Sequence, residues 1–388
     1  MLISRADRGL LANWWFTVDR VLLMTVLLLM ALGALFSMAA SPPVAARLGL
    51  PDFHFFNRQL VYLVPSLMVL FATSLLDLRS ARRVSLVIFI LGLGLMLAAI
   101  MIGPEIKGAH RWIGIGPIAL QPSEFVKPAF VVMAAWFLAE GDRTPGMPGL
   151  AVAWLLFLAF AGLLVRQPDF GQTGLVSLVF LAMLLIRGIS WPSLAGLGGT
   201  GVGLAFLAYE TVPYVRSRVA GFINPDKGDN FQVKTAMEAF GNGGLLGTGP
   251  GGGVAKQILP DAHTDFVPAV IGEEFGFLAL MVLLGLIASV VIRVLQRAKR
   301  EADAFAALAM AGLATMFGLQ ASINLAVNTA LIPAKGMTLP FISYGGSSLL
   351  AMALTMGFVL GLTRKRPLAG RLPRSAETES AAATAARQ

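Results

Sequence analysis

The stretch Ala262-His263-Thr264-Asp265-Phe266 holds the acid best placed to do chemistry in this chain. It closes the longest polar connection between two apolar segments, so Asp265 is expected where hydrocarbon meets water. Ionisable groups are costly there and are candidates for function. A carboxylate in that position can take a proton from an incoming hydroxyl. It can equally cap the helix that starts near Phe266, since Asp is a favoured N-cap and Pro268 suits a first helical turn. Glu273 follows about 12 Å further along such a helix on roughly the same side, with Glu274 turned nearly the other way.

Four further groups carry chemical potential. Arg111-Trp112-Ile113-Gly114-Ile115-Gly116 runs toward Gln121-Pro122-Ser123-Glu124-Phe125-Val126-Lys127-Pro128. On a helix Gln121, Glu124 and Lys127 share one side, and must face protein or a wet cavity. They can hold a ligand, or Glu124 and Lys127 can form an ion pair that only ties helices together. Gln167-Pro168-Asp169 reads as a tight turn in which Asp169 caps the next helix. The long loop contributes the cations Arg216, Arg218 and Lys256, an amphipathic run beginning at Phe231, and glycine clusters at 241–244 and 247–253. Those glycines can present amides to an anion or serve as a hinge. Ser343-Tyr344-Gly345-Gly346-Ser347-Ser348 opens the last apolar segment. Its hydroxyls and free amides can hold a phosphate, or its small residues can let helices pack closely.

These residues must be positioned by membrane-spanning helices. Of 388 residues, 56% are hydrophobic and 13% charged, about half the charge of a soluble domain. Apolar windows long enough to span occur at about 21–40, 59–76, 84–103, 118–139, 150–165, 172–190, 192–210, 267–292, 305–328 and 345–363. The expected fold is an all-α integral membrane protein of about ten transmembrane helices, with one large extracytoplasmic loop (211–266) between helices 7 and 8. Residues 1–20 form a cytoplasmic N-terminal segment in which Trp14, Trp15 and Phe16 suit an interfacial anchor. Residues 21–363 form the membrane domain, and 364–388 a disordered cytoplasmic tail. Arg79, Arg82, Arg83, Arg293, Arg297, Lys299 and Arg300 then flank spans on the side of both termini, the expected cytoplasmic bias. The net charge of +9 is therefore a topology signal and does not point to nucleic acid. Cysteine is absent, which removes disulfides and thiolate chemistry.

Acids, cations and open helix ends recurring on one membrane face suit an anionic, lipid-linked polar substrate. The residues alone do not select one reaction. In this order, however, the motifs Arg111–Gly116, Gln121–Glu124, Gln167–Asp169, Asn224-Pro225, His263–Phe266 and Ser343–Ser348 resemble the SEDS family of shape, elongation, division and sporulation proteins. The resemblance covers about 15–365. Lys335-Gly336-Met337-Thr338-Leu339-Pro340 and Ile271-Gly272-Glu273-Glu274 look more like the division branch than the elongation branch.

The resemblance implies a multi-pass protein of the bacterial inner membrane, with its active face in the periplasm and its place at the division septum. It implies an inverting glycosyltransferase that polymerises lipid II into glycan strands and releases undecaprenyl diphosphate. Asp265 is then the leading catalytic candidate. The candidate substrate-binding set is Lys127, Glu124, Arg111, Trp112, Gln121, Ser123, His263, Thr264, Arg216, Arg218, Lys256, Ser343, Gly345 and Ser347. Glu273 and Glu274 would support Asp265 or coordinate a divalent cation, Mg or Mn. The implied partner is a class B penicillin-binding transpeptidase among other division membrane proteins. Ala119 stands where some members carry an arginine before the motif glutamine, so a role given to that arginine falls elsewhere. Two rival readings are a lipid II flippase and a non-catalytic division scaffold.

Overall fold

A computed structural model describes residues 9–106, 108–115, 118–223, 231–333 and 336–364. The motif Asn224-Pro225, Lys335 and the tail beyond Arg364 lie outside these residues. So do residues 1–8.

Among the described residues fourteen helices in chain order carry the fold. A short helix, α1 (Leu10–Thr17), precedes α2 (Arg20–Arg47), α3 (His54–Ser74) and α4 (Leu78–Ile102). Two three-residue strands follow, β1 (Ile113–Ile115) and β2 (Ile118–Leu120), paired antiparallel with Ile113 opposite Leu120. Next come α5 (Pro122–Arg143), α6 (Gly149–Arg166), α7 (Phe170–Arg187), α8 (Trp191–Thr211), α9 (Pro213–Ile223), α10 (Phe231–Gly243) and α11 (Ala255–Ile258). The chain ends with α12 (Val267–Arg300), α13 (Ala304–Asn328) and α14 (Gly346–Leu362).

Among the described residues nine helices are long and apolar enough to span a membrane, and α14 is a shorter apolar helix. The structure is an all-α membrane protein; among the described residues the β1–β2 hairpin and an isolated bridge between Ile106 and Ala109 are its extended elements. The hairpin corrects one expected boundary. The apolar run from 118 is not helical until Pro122, because the chain first pairs with itself.

The bundle is built around α5 and α13, whose apolar stretches are mostly buried. Small residues explain the close approach of their neighbours. A Cβ at Gly357 of α14 would strike the Thr73 hydroxyl of α3, and one at Gly92 of α4 would strike Val126 of α5 at 2.3 Å. Without a hydrophobic driving force inside lipid, such contacts are what hold helices together. By contrast α8 buries no side chain.

Two features at the terminal end of the bundle were only partly legible. Trp14 is packed into the core, with its indole N–H on Ser74 Oγ at 2.9 Å, while Trp15 stays exposed. Asp19 caps α2 and also accepts from Arg293 and Arg297 of α12. Burial pushes the Asp19 carboxyl up, but the two guanidinium groups outweigh it and hold it below its ordinary range. This tie is complete at neutral pH and is lost as pH falls through that lowered value.

The eighth apolar window, 267–292, differs most from a simple span. Gly276 has φ 80° and ψ 174°, which divides α12 into a buried short helix up to Phe275 and a long one from Phe277. The loop after α10 fills the break. Thr248 and Gly249 donate their amides to the carbonyls of Glu273 and Glu274, while Phe277 and Leu278 donate to Gly244 and Leu245. The loose ends of both half-helices are thus satisfied by one glycine-rich strand of chain, which hydrocarbon demands. At Gly247 (φ +84°) a Cβ would lie 2.2 Å from the Glu274 carbonyl. Gly249 (φ +91°) has open space around it.

Gly247→Ala is therefore expected to cost at least about 3 kcal/mol of stability. Gly249→Ala should cost only the left-handed backbone penalty, about 1–2 kcal/mol. Thermal unfolding of both variants in detergent checks this; equal shifts would mean the break is not braced by the loop.

Candidate functional site

Asp265 lies in the turn that ends the long loop, and it is half-buried. The turn is set by Asp261, whose φ is +54° and whose carbonyl accepts the amides of Thr264, Asp265 and Phe266. The residue at the N-cap of α12 is Phe266, which offers no side-chain cap. The capping position that the sequence allowed for Asp265 therefore belongs to its neighbour. Behind it, Asn324 and Asn328 of α13 donate to the Asp265 carbonyl at 2.8 and 2.9 Å. In front, a Cβ on Gly336 would sit 3.5 Å from Asp265 Oδ2, so the carboxylate faces the α13–α14 connection.

Lys127 is fully enclosed, with 0% exposure. Its Nζ donates to Glu124 Oε1 at 2.9 Å, Gln172 Oε1 at 2.9 Å and Gln320 Oε1 at 3.1 Å. An ammonium group has three donors, so all are used. Gln172 Nε2 also donates to Glu124 Oε1 at 3.0 Å. Gln320 passes the network on through Nε2 to the carbonyl and hydroxyl of Thr338, and Thr338 pairs with Ser348 at 2.7 Å. Helices α5, α7 and α13 and the start of α14 are thereby joined by one buried polar chain. Glu124 is in the first turn of α5, where the helix dipole also favours a carboxylate.

Arg111 is engaged differently. Its Nε and an Nη donate to the carbonyls of Gln167 (2.9 Å) and Pro168 (2.5 Å), and another Nη stands 3.7 Å from Asp169. Burial pushes the Asp169 carboxyl up against the pull of that guanidinium. Asp169 also caps α7 through the Gln172 amide. The two motifs around Arg111 and Gln167 are thus one unit, and 27% of the Arg111 side chain remains exposed.

The remaining candidates lie in several separate places. Glu273, Glu274 and Lys256 are buried together. Glu273 accepts from the amides of Val254, Ala255 and Lys256 at 2.7–3.1 Å, and so caps α11; Lys256 pairs with Glu274. Arg47 closes the other end of α11 on Ile258 and Leu259. The anion presented to those loop amides is thus the protein's own carboxylate. His263 stacks in an aromatic group with Phe55 (4.2 Å) and Tyr344 (5.4 Å), and its carbonyl accepts the Tyr344 amide. Thr264 turns its hydroxyl to Asp261.

At the start of α14, Ser347 Oγ accepts the Gln121 amide at 3.0 Å and donates to Ala119, while Ser343 Oγ accepts from Leu339. The Ser343 and Ser347 hydroxyls expected at a phosphate are therefore engaged within the protein. Gly345 has room for a side chain, whereas Gly346 lies against the Tyr62 ring. Ser123 is buried and Trp112 half-buried. Arg216 and Arg218 are exposed on α9, with Arg216 paired to Glu210.

Among the described residues no three His, Asp or Glu groups come together to hold a metal. With Glu273 and Glu274 occupied by internal donors, these two do not fit a Mg or Mn site. Residues that the motifs did not flag are Gln172, Gln320, Asn324 and Asn328, whereas Thr338 lies within the motif from Lys335 to Pro340. The signal for three of them was present: amides at 320, 324 and 328 form a polar stripe on an otherwise apolar helix.

A multi-pass bundle with a half-buried acid at the end of its long loop and a buried charge–amide network among its helices defines a polytopic membrane protein. The sequence model of the FtsW/RodA/SpoVE family, described as "Cell cycle protein", matches residues 19–367. The chain is 45% identical over 365 residues to the probable peptidoglycan glycosyltransferase FtsW of Caulobacter vibrioides, covering 94% of each. It is 36% identical to the protein of the same name from Coxiella burnetii, covering 89% of this chain and 96% of that one. The crystal structure of Thermus thermophilus rod shape determining protein RodA superposes with a TM-score of 0.68 at 30% identity, over 91% of this chain and 99% of that one. A chain from "Structural coordination of polymerization and crosslinking by a peptidoglycan synthase complex" gives 0.74 at 28% identity, over 90% and 98%. This chain belongs to the FtsW/RodA/SpoVE family, the SEDS proteins, and is of the FtsW type.

If the Lys127 network is structural, Lys127→Met should lower unfolding free energy by roughly 3–5 kcal/mol, since it strands a buried carboxylate. Adding Glu124→Gln should recover part of that loss. Denaturation of the single and double variants measures the coupling. A stable Lys127→Met protein that merely binds substrate less well would show that the ammonium serves the ligand.

Proposed function

We propose that the chain is a peptidoglycan glycosyltransferase that polymerises lipid II on the periplasmic face of the inner membrane at the division septum. Asp265 is the general base. Its carboxylate accepts the proton of the 4-hydroxyl on the acceptor N-acetylglucosamine, and that oxygen attacks the anomeric carbon of the donor chain. The bond to undecaprenyl diphosphate breaks, and the diphosphate leaves with the electron pair. One displacement inverts an α-linked donor to a β-1,4 product, so one base is enough.

The observation that carries this reading is the placement of Asp265. It is half-buried and excluded from the capping position, and its backbone is held from behind while its carboxylate faces a loop. The names of the relatives support the same reaction class. In this reading Lys127 acts from behind the site through the helices it ties together. Arg111, with its exposed edge, is the cation able to approach a departing diphosphate. A class B penicillin-binding transpeptidase is the proposed partner, in keeping with the synthase complex among the structural relatives.

The test uses full-length chain with its transpeptidase partner and labelled lipid II in detergent, where membrane sidedness is lost. Asp265→Asn should reduce glycan polymer at least about 100-fold, the scale of a lost general base. Polymer formation unaffected by Asp265→Asn, or lipid II movement in liposomes with no polymer under any condition, would exclude the proposal in favour of a scaffold or a flippase.

A further inference from the structure

Resting on that reading of Asp265, we propose that Asn324 and Asn328 are positioning residues for the glycosyl transfer. They set the base against the chain segment that faces it.

Gln320, Asn324 and Asn328 recur every four residues and so line one face of α13. All three are buried. Asn324 Nδ2 donates to the Asp265 carbonyl at 2.8 Å and to the Met337 carbonyl at 2.6 Å. Asn328 Nδ2 donates to the Asp265 carbonyl at 2.9 Å and to the Asn324 carbonyl at 2.9 Å. Every partner is an acceptor, so only the NH2 end of each amide can face it. The orientation of both side chains follows.

The amide oxygens make the complementary point. Oδ1 of Asn324 and Oδ1 of Asn328 are buried without a hydrogen-bond partner. Stranding a buried acceptor is destabilising. What each position supplies is its donor, and the donors converge on Asp265.

Their effect is on relative position. The turn before α12 sets the path of the chain at Asp265, and Phe266 makes no side-chain cap. The two asparagines add a restraint from α13. Asn324 also grips Met337, next to Gly336 (φ +63°), whose backbone faces Asp265 Oδ2. One side chain therefore holds the backbone of the base and the backbone opposite its carboxylate. Gln320 continues the grip to Thr338 and joins it to Lys127. A displacement of about 1 Å at a reacting group can cost on the order of 100-fold in rate.

The experiment measures kcat and KM for Asn324→Ala, Asn328→Ala, Asn324→Asp and Asn328→Asp in the lipid II assay above. It covers about pH 5.5–8.5, where a buried carboxyl with a raised pKa titrates. The alanine variants should lose kcat at least about tenfold at every pH, with KM within about threefold, because the base is displaced and the substrate contacts remain. The aspartate variants are isosteric. A protonated carboxyl keeps an O–H donor for the Asp265 carbonyl and an ionised one does not. Relative to the wild-type enzyme measured at the same pH, their kcat should therefore be nearest to wild type at the acidic end and fall as pH rises.

Unchanged kcat in the alanine variants would overturn the proposal. So would equal losses in alanine and aspartate variants at every pH accompanied by equal drops in melting temperature, since that is packing alone. Asp265→Asn measured alongside separates the two readings. Polymer made by that variant overturns the base assignment. Polymer lost there, with kcat intact in the asparagine variants, overturns only the positioning role.

Discussion

One buried cation organises this membrane domain. Lys127 lies in a mostly buried helix and donates its three protons to Glu124, Gln172 and Gln320. An isolated ammonium in hydrocarbon would lose its charge or drag in water. Held this way it forces three helices into a fixed register, because moving any one strands a donor or an acceptor. Gln320 carries the constraint to Thr338, and so to the connection that faces Asp265. The acid at the polar end is therefore tied to a charge pair inside the bundle without touching it.

The second constraint is the break at Gly276. A continuous helix from 267 to 300 would need no partner for its middle amides and carbonyls. The observed one exposes two helix ends to a lipid environment, and the loop after α10 satisfies them. Glu273 then turns its carboxylate to the start of α11, and Arg47 closes the end of the same helix. The long loop is thus stitched to α12 and α2 just ahead of Asp265. Polar groups that resemble a binding site in isolation are here the means by which non-helical backbone survives at the membrane boundary.

This explains why several candidate ligands for the substrate ended up facing each other. Lys256 meets Glu274, Arg111 meets the Gln167–Asp169 turn, and Ser347 meets the start of α5. Each is a charge or hydroxyl adjacent in space to an acceptor or donor far away in sequence. In a low-dielectric bundle such groups pair with the nearest opposite partner, since leaving them open is costly. Asp265 lies half-buried beside a loop, and Asn324 and Asn328 hold its backbone carbonyl.

The sequence by itself determined the class of fold, because runs of some twenty apolar residues with few charges have no other stable solution than spanning helices. It also marked Asp265, since an acid beside a membrane segment stands out from composition alone, and the Glu124–Lys127 pair, since a spacing of three fixes a shared helix face. The tertiary structure alone decided which polar groups are consumed. Gln172 and Gln320 look like ordinary amides until the helices meet around Lys127. The stripe of Gln320, Asn324 and Asn328 was visible as a pattern, but its targets, the Asp265 and Met337 carbonyls, come from other parts of the chain. Likewise the glycines of 243–249 could be hinge or anion cradle in one dimension. Only the approach of Glu273 and Glu274, within bonding distance in space and about 25 residues away in sequence, made them a brace. Periodicity reports what faces lipid, whereas hydrogen-bond pairing depends on distances that no local pattern encodes.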